Sequence, residues 1–365
     1  MHFSCKSKDL LKGVSLISNI CQSKTTKPIL QDIKIIVDQD LIRLLGTDLE
    51  VAIKYTLPIA EVKKTGAVVV PAAKLLNMLR EITSETVELS SEQRVCSIRS
   101  EDARFKLISD DPDEFPVIPD YDFKDSMSLS AFSFVKYANK TLFAVARDMS
   151  CYAYNGVLIE LYEDGIKFVA TDGRRLAVAG DVERDQENTL SSSVVQVKGI
   201  SQIIKSLEDE ESTILVKLFK NQFIMKMENI EIASRLLEGD FPKYRDVIPR
   251  DNDLVIEVDR DSLYSVLRKV SITAGTEVRS VQFVFKKGIL KLYSQQEGIG
   301  EAEAEVPIEY EGKKLEITFN PDFITEYLRV LDNEKISLQF KDENSSCLIQ
   351  DNDKEFYIVM PITSK

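Results

Sequence analysis

The chain has 365 residues, of which 44% are apolar and 29% are charged, and its formal net charge is -13 at pH 7. Its 14 glycines fall below the usual share of about 7%, which argues against glycine-rich phosphate loops. No apolar run approaches the roughly 18 residues of a membrane span, and the N-terminal MHFSCKSKDLLKG lacks the apolar core of a signal peptide. We therefore expect a cytoplasmic protein that contacts no membrane.

Taken in chain order, the predicted elements repeat three times. In each copy an apolar, strand-like run ends in a polar pair, and these pairs stand 124 and 123 positions apart: Thr47-Asp48, Thr171-Asp172 and Ser294-Gln295. In each copy a β-branched run then ends where a helical pattern opens, at Pro71, Val197 and Asn320. This period is far longer than the roughly 20 to 50 residues of a solenoid repeat, so each copy should be a domain with its own core.

Six segments carry helical patterns: 6–24, 71–81, 131–147, 196–207, 259–270 and 320–331. They contain fifteen Lys and Arg against six Asp and Glu, a net +9, which leaves -22 for the rest of the chain. Cationic helices keep a nucleic-acid partner possible despite the acidic total, because the distribution of charge matters more than its sum. Ordinary solvated helix faces would give the same pattern, so both interpretations stay open at this point.

Between the helices lie short segments of alternating apolar and polar residues, which are typical of antiparallel strands. Asn155-Gly156, within YAYNGVLIEL, is the strongest hairpin signal and predicts a type I′ turn. Proline and acidic residues accumulate at 110–125 and 240–253, which places the domain joints there. Each copy is therefore predicted to be an α+β domain in which two helices pack on antiparallel β-sheet.

Residues able to carry catalysis are scarce. His2 is the only histidine, which excludes histidine triads and multi-histidine metal sites. The five cysteines, at positions 5, 21, 96, 151 and 347, are scattered and odd in number, which favours reduced thiols over a disulfide framework. No phosphate-loop or dinucleotide motif occurs. No enzymatic activity, metal or cofactor is expected.

Carboxylates are the remaining candidates for catalysis. Asp48 with Glu50, and Asp172 beside Arg174 and Arg175, could form an acid/base pair or hold a divalent cation, although such residues more often cap turns. A carboxylate-dependent hydrolase is thus one alternative, which loss of turnover in Asp172→Asn would support. A repeat-built scaffold that never meets DNA is the other, and a monomeric or open assembly without a cationic channel would support it.

Five blocks of sequence carry a resemblance to a known family: GTDLEVAI (46–53), VVVPAAKLL (68–76), ATDGRRLAV (170–178), LEGDFPKYRDVIP (237–249) and VMPI (359–362). In these blocks, and in their order along the whole chain, the sequence resembles the bacterial DNA polymerase III β subunit, the DNA sliding clamp. The resemblance implies three topologically similar domains of the DNA clamp fold, at 1–122, 123–249 and 250–365. It also implies a head-to-tail homodimeric ring, with helices lining the hole and sheets forming the outer surface.

A clamp of this family is a processivity factor in DNA replication, and the resemblance implies the same role here. The ring would encircle double-stranded DNA without regard to sequence, so that attachment is topological and a separate ATP-driven clamp loader opens the ring. The residues that match the DNA-facing positions of the family are Lys24, Arg80, Arg147, Lys198 and Lys205.

The resemblance also implies a groove between the second and third domains for partner peptides. The replicative polymerase, the clamp loader and repair proteins insert a short linear motif there, typically with glutamine first and leucine or phenylalanine last. The residues that match the groove are Tyr154, Thr171, Gly173, Arg174, Arg175, Leu176, Pro242, Val247, Ser346, Val359, Met360, Pro361 and Ile362. Two buried anchors at about 1.5 to 3 kcal/mol each, less ordering costs, predict roughly micromolar or weaker affinity for one peptide.

Ring closure is expected to use an edge of the first domain and an edge of the third. The residues that match these edges are Lys74, Phe105, Leu107, Ile272, Glu301, Glu303 and Glu305. Alternate glutamates on one strand face suit an edge that must not pair promiscuously.

At several positions the chain departs from the common family pattern, and these departures bear on peptide preference. Arg174 stands where many members have histidine, Asn344 replaces an apolar wall residue, and Asp246 sits where a basic residue is frequent. The chain ends in Thr363-Ser364-Lys365 instead of an apolar residue and arginine.

Overall fold

The computed structural model describes residues 1–21, 25–39, 41–57, 61–147, 152–207, 209, 211–250, 252–275, 278–350 and 352–363. Across these ranges the order of elements repeats three times: a strand, a helix, four or five strands, a second helix and three strands. This order confirms the threefold repeat and the α+β class predicted from sequence. None of the helices in these ranges is both long and apolar enough to cross a membrane.

The first copy contains the helices α1 (Ser7–Cys21) and α2 (Ala72–Glu81). Its strands are β1 (His2–Lys6), β2 (Asp32–Val37), β3 (Ile42–Thr47), β4 (Val51–Leu57), β5 (Glu61–Lys64), β6 (Gly66–Pro71), β7 (Thr86–Glu92), β8 (Val95–Arg99) and β9 (Arg104–Ile108). Helix α1 forms because Leu10, Val14, Ile17 and Cys21, spaced three or four residues apart, share one buried face.

The second copy contains α3 (Ala131–Leu142) and α4 (Val197–Ser206). Its strands are β10 (Met127–Ser130), β11 (Gly156–Leu161), β12 (Ile166–Thr171), β13 (Arg175–Gly180), β14 (Ser191–Gln196), β15 (Thr213–Phe219), β16 (Gln222–Met227) and β17 (Ile230–Leu237). Helix α4 packs closely on β17 at Gly199, where a Cβ atom would lie 2.0 Å from Oγ of Ser234. Only glycine permits that approach.

The third copy contains α5 (Arg260–Val270) and α6 (Pro321–Leu328). Its strands are β18 (Leu254–Asp259), β19 (Val281–Lys286), β20 (Ile289–Gln296), β21 (Gly300–Pro307), β22 (Leu315–Phe319), β23 (Lys335–Phe340), β24 (Cys347–Gln350) and β25 (Phe356–Val359). Side-chain oxygens cap both helices, since Asp259 accepts a hydrogen bond from the Ser262 amide at 2.8 Å and Asn320 accepts one from the Asp322 amide at 3.0 Å.

Contacts between residues divide the chain into two compact units. Unit 1 comprises residues 1–134 and 195–236, and unit 2 comprises residues 135–194 and 237–365. Because each unit combines parts of neighbouring copies, the domain boundaries at 122/123 and 249/250 stay a prediction.

Unit 1 contains two antiparallel sheets. One has the strand order β10-β15-β16-β17-β4-β3-β2-β6, and the other has the order β5-β1-β7-β8-β9. The pairing of β4 with β17, in which Ile53 lies opposite Ile232, makes strands of the first and second copies one continuous sheet. Strand β9 lies at the edge of the five-stranded sheet.

Unit 2 is built in the same way. One sheet has the order β18-β23-β24-β25-β13-β12-β11, and a four-stranded sheet has the order β21-β20-β19-β22. Here β13 pairs with β25, so strands of the second and third copies are continuous, and β21 lies at the edge of its sheet. The apolar cluster behind this pairing includes Leu176, Tyr244 and Ile358.

A buried ion cluster holds α3 against the segment that precedes β25 in unit 2. The Glu355 carboxylate lies 2.6 Å from Nζ of Lys136 and 2.5 Å from Nζ of Lys140, and Lys140 also lies 3.3 Å from Asp332. The side chains of Glu355 and Lys140 are only 5% and 4% exposed. Burial by itself would raise the pKa of Glu355, but the hydrogen bonds and positive charges of the two lysines outweigh it and hold that pKa below its ordinary value.

Helix α3 was predicted to reach residue 147, and that prediction was wrong. The helix ends at Leu142, where the Thr141 hydroxyl donates to the carbonyl of Tyr137 at 2.9 Å and the Thr141 carbonyl accepts from the Ala144 amide at 2.9 Å. The threonine side chain competes for the backbone acceptors and the chain tightens into a turn.

The type I′ hairpin predicted at Asn155-Gly156 was also wrong. Residues Tyr152–Asn155 form a short 3₁₀ turn, and β11 begins at Gly156. The amide of Ala146 donates to the Tyr154 carbonyl at 3.0 Å, so this segment folds back on the chain that follows α3 instead of extending as the first strand of a hairpin.

Candidate functional site

The predicted groove residues of unit 2 gather where three neighbouring strands leave the sheet. Strand β25 lies between β13 and β24, with Val359 opposite both Arg175 and Cys347. The residues one step beyond these positions therefore leave the sheet side by side, and they are Arg174, Met360 and Ser346. The Met360 amide donates to the Arg174 carbonyl at 2.9 Å and fixes this alignment.

The tight turn between β12 and β13 is held by its own side chains. Thr171 Oγ1 donates to the Arg175 carbonyl at 2.5 Å and accepts from the Gly173 amide at 3.1 Å. Asp172 Oδ1 accepts from the amides of Arg174 and Arg175 at 2.9 and 3.1 Å. The amides of Gly173, Arg174 and Arg175 are thus bonded to side chains within the turn.

The first copy contains the same turn between β3 and β4. Thr47 Oγ1 donates to the Val51 carbonyl at 2.9 Å and accepts from the Leu49 amide at 3.0 Å, while Asp48 Oδ1 accepts from the amides of Glu50 and Val51. This explains why the sequence blocks GTDLEVAI and ATDGRRLAV resemble each other. The carboxylates Asp48 and Asp172, which were candidates for catalysis, therefore accept backbone hydrogen bonds within the two turns.

Gly173 suits the backbone of the second of these turns, and it lies beside Tyr154. Its φ is +83°, a backbone conformation that L side chains rarely adopt, and a Cβ atom at this position would lie 3.8 Å from Cε2 of Tyr154. Two predicted groove residues from different parts of the sequence are therefore neighbours.

A cavity of about 610 Å³ opens beside the turn. Three predicted groove residues line it, namely Tyr154, Arg174 and Arg175. The other lining residues come from the chain after α3, from Asp172 and from α6 with its flanks: Val145, Ala146, Arg147, Asn320, Asp322, Phe323, Thr325, Glu326 and Arg329. The contribution of α6 was missed from sequence, where this segment showed only a helical pattern.

Arg175 is buried at 6% exposure, and each of its three guanidinium nitrogens donates a hydrogen bond. Nε donates to Asp172 at 2.9 Å, Nη1 donates to Glu326 at 2.5 Å, and Nη2 donates to the Phe143 carbonyl at 2.7 Å. The guanidinium also lies over the Phe323 ring, 4.4 Å from its centroid. Arg175 is therefore part of the wall and connects the turn to α6.

Arg174, the next residue in the chain, has the opposite environment. Its side chain is exposed, and within the described part of the chain no carboxylate lies within ion-pair distance of it. The two adjacent arginines that the sequence presented as one motif thus differ in role: one is fixed inside the wall, and the other faces the cavity and solvent.

The apolar part of the predicted groove divides into buried and exposed residues. Leu176 and Val359 are buried at 3% and 0% exposure and belong to the core. Val247 and Met360 are exposed at 58% and 49%, large values for apolar side chains on a folded surface. Pro361 and Ile362 are half-buried and continue from Met360.

Pro242 lines a different cavity of about 810 Å³, so the structure does not bring it to the cavity that Tyr154 and Arg174 line. Glu160 lines this second cavity and is buried. Its carboxylate accepts hydrogen bonds from the hydroxyls of Tyr162 and Tyr244, at 2.9 and 2.7 Å, and from the guanidinium of Arg245 at 3.0 Å. These bonds satisfy the buried carboxylate.

Four of the five residues predicted to face DNA are described, and they have three different environments. Lys24 lies outside the described residues. Arg80 is exposed in the last turn of α2, and Lys205 is exposed near the end of α4. Arg147 lies beyond α3, is 81% exposed and contacts Glu326 at 3.2 Å. It therefore stands on the rim of the cavity in unit 2.

Lys198 is the fifth of these residues, and it is engaged within unit 1. It forms ion pairs with Asp48 and with Glu50, the latter at 3.1 Å. Burial by itself would lower the pKa of Lys198, but the hydrogen bonds and charges of the two carboxylates raise it above its ordinary value. A phosphate would have to compete with these partners.

Two further lysines accompany Lys205. A shallow cavity of about 430 Å³ between α1 and α4 is lined by Lys8, Lys12 and Lys205 together with Leu11 and Asn19. Sequence reasoning counted Lys8 and Lys12 among the helix cations but did not place them beside Lys205. The juxtaposition depends on the packing of α1 against α4 in unit 1.

Five of the seven predicted edge residues lie on two edge strands, β9 and β21. Along β9 the side chains alternate: Phe105 is half-buried and Leu107 is buried at 8% exposure, whereas Arg104, Lys106 and Ile108 are exposed. Ile108, at 79% exposure, is the exposed apolar residue of this strand, and the role of Phe105 and Leu107 in an interface stays a prediction. Lys74, on α2, is exposed.

Along β21 the predicted glutamates Glu301, Glu303 and Glu305 are all exposed and alternate with half-buried or buried residues. Glu303 lies 2.5 Å from Lys291 on the neighbouring strand, and Glu301 accepts a hydrogen bond from the Tyr293 hydroxyl at 2.9 Å. Ile272 is 80% exposed on a short turn that contacts β21.

Four of the five cysteines are described, and all four are buried. Burial raises the pKa of Cys5 and Cys21 to about 12 and that of Cys96 to about 11, and it also raises the pKa of Cys347. These thiols are protonated at neutral pH and shielded, so they are structural. Among the described residues, no group of three His, Cys, Asp or Glu side chains is placed to hold a metal ion.

Comparison with protein families accounts for almost the whole chain. Residues 1–119 match the N-terminal domain of the DNA polymerase III beta subunit, residues 128–243 match its central domain, and residues 245–363 match its C-terminal domain. The three matches follow one another along the chain in the order of the three copies.

Individual relatives agree over the full length. A beta sliding clamp of Chlamydia pneumoniae is 29% identical over 99% of this chain and 99% of its own. The crystal structure of the DNA polymerase III subunit beta of Pseudomonas aeruginosa is 28% identical, covers 100% of both chains and superposes with a TM-score of 0.93. A sliding clamp from the same organism bound to griselimycin is 27% identical, covers 100% of both chains and has a TM-score of 0.92.

The sequence blocks, the threefold order of elements and these matches agree with one another along the entire chain. This protein belongs to the family of the DNA polymerase III beta subunit, the bacterial DNA sliding clamps.

Proposed function

We propose that this chain forms a head-to-tail homodimeric ring around duplex DNA and tethers the replicative polymerase, the clamp loader and repair proteins to it. The ring binds DNA independently of sequence and confers processivity because it can leave only by opening or by sliding off an end. It acts in the cytoplasm as a non-catalytic factor without cofactor, and a separate ATP-driven loader opens it.

The observation that supports ring closure most directly is the pair of edge strands of opposite charge. Strand β9 presents Arg104 and Lys106 on its exposed face, and β21 presents Glu301, Glu303 and Glu305 on its own. Each edge has unpaired backbone groups and one sign of charge, so β9 of one protomer complements β21 of another. Ile108 and Ile272, both strongly exposed, supply apolar area beside these edges.

Because the two edges belong to different copies in the sequence, their pairing is head-to-tail. Such heterologous contacts generate either a closed ring or an open filament, depending on the rotation between subunits. We propose that two protomers close the ring. The predicted interface residue Leu107 is buried beneath the exposed side chains of β9 and supports them from the interior.

Exposed cations on the helices support the DNA-facing role. Arg80, Lys205, Lys8 and Lys12 are exposed on α2, α4 and α1. Such charges attract the phosphate backbone without reading sequence. Lys198 contributes less than a free lysine would, because Asp48 and Glu50 already neutralise it.

The groove proposal depends on the three aligned strand ends of unit 2. Exposed Met360 and Val247 offer apolar contact to a leucine or phenylalanine, and the cavity beside Arg174 offers room for further peptide. Met suits a surface that must accept several partners.

A retention experiment tests the ring. Labelled protein is incubated with nicked circular DNA, its loader and ATP, and its retention on the DNA is measured before and after the circle is cut once away from the nick. We expect retention on the circle and loss after linearisation. Equal retention on both forms that falls with salt would instead indicate plain electrostatic binding, and no retention with an active loader would favour the scaffold alternative.

The variant Arg104→Glu/Lys106→Glu sharpens this test, because it places like charges against the β21 glutamates. We expect a monomer by light scattering and no retention on the circle. The matched control is Lys286→Glu/Lys313→Glu, which makes the same charge change at exposed positions outside both edges and should leave dimerisation and retention intact. A dimeric edge variant would contradict the assignment of the edges.

A further inference from the structure

One segment of unit 1 contacts both the first and the second copy without belonging to a sheet. This segment, called the strap below, comprises residues 112–124 and connects β9 with β10. Apart from a short turn at Pro112–Glu114 it forms neither helix nor strand. Among the described residues, the strap amides that donate hydrogen bonds do so only within residues 111–124. The strap is therefore attached to the sheet by side chains and by its own carbonyl groups.

Three lysines of the neighbouring sheet each lie over one aromatic ring of the strap. Measured from Nζ to the ring centroid, these pairs are Lys34 with Phe115 at 5.9 Å, Lys54 with Tyr121 at 6.0 Å and Lys226 with Phe123 at 5.4 Å. Such distances are those of cation–π contacts. Because Lys34 and Lys54 lie on β2 and β4 of the first copy and Lys226 lies on β16 of the second, the contacts span both copies.

Two of these lysines, together with Lys217 of β15, also bind oxygen atoms of the strap. The bonds run from Nζ of Lys34 to the Pro112 carbonyl at 2.7 Å, from Nζ of Lys54 to the Asp120 carboxylate at 2.5 Å, and from Nζ of Lys217 to the carbonyls of Lys124 and Asp122 at 2.5 and 3.4 Å.

The strap is also tied to charges at the pairing of β4 with β17. Lys54 lies 3.3 Å from Glu231, its cross-strand neighbour on β17, and Lys226 approaches the same carboxylate at 3.3 Å. The lysines that hold the strap therefore also hold the strand pair that joins the first copy to the second.

The two ends of the strap differ in burial. Phe115 is 2% exposed and packs with Leu45 and Val69, which fixes the first end in an apolar cluster. Beyond it, Val117 is 93% exposed and the side chain of Asp120 is 80% exposed. Residues 116–124 therefore depend mainly on ionic and cation–π contacts that water and dissolved ions can reach.

The equivalent segment between the second and third copies is attached in another way. It has the same frame of Phe-Pro followed by Ile-Pro, at 241–242 and 248–249. Tyr244 and Ile248 are 4% and 8% exposed within an apolar cluster, and the Tyr244 hydroxyl donates to buried Glu160 at 2.7 Å. This attachment is shielded from dissolved ions.

We propose that residues 116–124 are a detachable strap, which lysines fasten across the pairing of β4 with β17 and which competing ions release while the fold stays intact. Release frees Lys54 and Lys226 from the strap but leaves their contacts with Glu231, so the strand pair remains and loses only this additional fastening. The proposal concerns the conformation of the chain itself and does not depend on ring formation or on partner binding.

The salt response follows from the range of electrostatic interactions. The Debye length falls from about 10 Å at 0.1 M salt to about 3 Å at 1 M, so contacts at exposed sites weaken over this range. Each contact contributes little alone, but several that weaken together should raise the ratio of detached to attached strap roughly tenfold.

Tryptophan fluorescence of the full-length protein tests the proposal, because the chain contains no tryptophan of its own. Phe123→Trp places a single fluorophore in the strap, and Phe241→Trp places one at a half-buried position of the equivalent segment. Between about 0.05 and about 1 M NaCl we expect the acrylamide quenching constant to rise roughly two- to threefold for Phe123→Trp and by less than about 1.3-fold for Phe241→Trp. The far-ultraviolet circular dichroism should stay unchanged.

A variant that lacks two strap contacts should imitate high salt. In the Phe123→Trp background, Asp120→Asn/Lys217→Gln removes contacts at Asp120 and Lys217 without altering a core residue, and its quenching constant at low salt should reach the high-salt value. The matched control is Lys220→Gln/Glu228→Gln, which makes the same charge changes at exposed positions of neighbouring turns and should keep the salt response.

Limited proteolysis of the unsubstituted protein gives a second measurement that needs no introduced fluorophore. Chymotrypsin can cut the strap at Tyr121 and Phe123 and the equivalent segment at Phe241 and Tyr244. Both segments are exposed to the enzyme in one sample, so an effect of salt on the enzyme cancels in the ratio of the two cleavage rates. We expect this ratio to shift toward the strap as salt rises.

Three results would overturn the proposal. An equal rise in quenching and cleavage at both segments, or a loss of circular dichroism, would mean that salt loosens the whole fold. No rise at either segment would mean that apolar contacts hold the strap. A control variant that imitates high salt as well as Asp120→Asn/Lys217→Gln does would mean that the strap contacts are not the cause.

Discussion

Replacing Glu355 by glutamine should destabilise unit 2 strongly, because this carboxylate is the centre of the buried ion cluster. Its side chain is 5% exposed and accepts charge-assisted contacts of 2.6 Å from Lys136 and 2.5 Å from Lys140. Lys136 is 29% exposed and can turn toward water, whereas Lys140 is only 4% exposed. The substitution therefore removes the carboxylate that lies 2.5 Å from the buried ammonium of Lys140, while Asp332 stays at 3.3 Å.

The magnitude follows from the loss of one partner of a buried ion pair. Removing one partner of a buried pair costs about 3 to 5 kcal/mol, and because Asp332 still offsets part of the charge we expect about 3 kcal/mol. For a unit of this size, 1 kcal/mol corresponds to about 2 to 4 °C in Tm, so we expect a decrease of roughly 6 to 12 °C. The loss should shrink at acid pH. The folded-state pKa of Glu355 is depressed, so its stabilisation exists above the ordinary value of 4.5 and is lost as pH falls through the folded pKa.

Thermal unfolding followed by circular dichroism at pH 7.5 and at pH 4 measures both effects. The matched control is Glu343→Gln, an exposed acid on a loop, which should change the free energy of unfolding by less than about 0.5 kcal/mol. The double variant Lys140→Met/Glu355→Gln should recover part of the stability, since an apolar side chain then replaces the buried charge. The reasoning is refuted if Glu355→Gln unfolds with its control, or if the double variant is less stable than the sum of its single changes.

Two further predictions concern backbone conformation and pH. In the paired turns, Leu49 has a φ of +75° and Gly173 has a φ of +83°. A positive φ costs a non-glycine residue about 1 to 2 kcal/mol, whereas glycine costs about 0.5 to 1 kcal/mol in backbone entropy, so Leu49→Gly should raise the free energy of unfolding by about 0.5 to 1 kcal/mol and Gly173→Ala should lower it by about 1 kcal/mol. Urea unfolding measures both variants, and changes of equal sign would contradict this account. Burial and a hydrogen bond with Asp110 raise the pKa of Asp32 to about 7, well above its ordinary 3.8, so the folded state binds the extra proton and wild-type stability falls as pH rises from 5 to 8. Asp32→Asn should remove this dependence of stability on pH, and the stability of the variant relative to wild type should rise by about 1 to 3 kcal/mol from pH 5 to pH 8. The control Glu343→Gln should show the same pH dependence as wild type. If Asp32→Asn leaves the pH dependence unchanged, Asp32 is excluded as its source.

Periodic features of the fold could be predicted from sequence because each depends on local pattern. The threefold order of elements follows from apolar runs that lead to Thr47, Thr171 and Ser294; the first two residues end β3 and β12, and Ser294 lies two residues before the end of β20. Helix starts were equally clear where proline or a capping residue marks them, as at Asn320 before Pro321. Such signals survive tertiary packing because the hydrogen bonds that create them are local.

Features that depend on distant partners could not be predicted. Asn155-Gly156 has the composition of a hairpin turn, yet a hydrogen bond between Ala146 and Tyr154 coils the segment before it. The pairing of β13 with β25 brings together residues that are far apart in sequence, and only that pairing places Met360 beside Arg174. Tertiary contacts of this kind override the local preference.

The candidate site shows the same division. The resemblance named Arg174 and Arg175 together, and nothing in the sequence distinguishes them. The difference arises from strand alternation and from Glu326 on α6, which captures Arg175 and leaves Arg174 outside. Likewise, alternation of side chains along β9 buries Leu107 and exposes Ile108, which the resemblance did not name.

In the paired turns, the residues that hold the backbone differ from the residues that are exposed to solvent. In both, one threonine and one aspartate hold the backbone, and the two residues that follow the aspartate are exposed: Leu49 and Glu50 in the first copy, Gly173 and Arg174 in the second. Substitutions at these exposed positions alter what the surface offers while the hydrogen bonds beneath stay the same. After a duplication of the repeat, one turn could thus acquire a recognition role while the other kept only a structural role. The first turn is therefore a position at which a second recognition surface could be introduced.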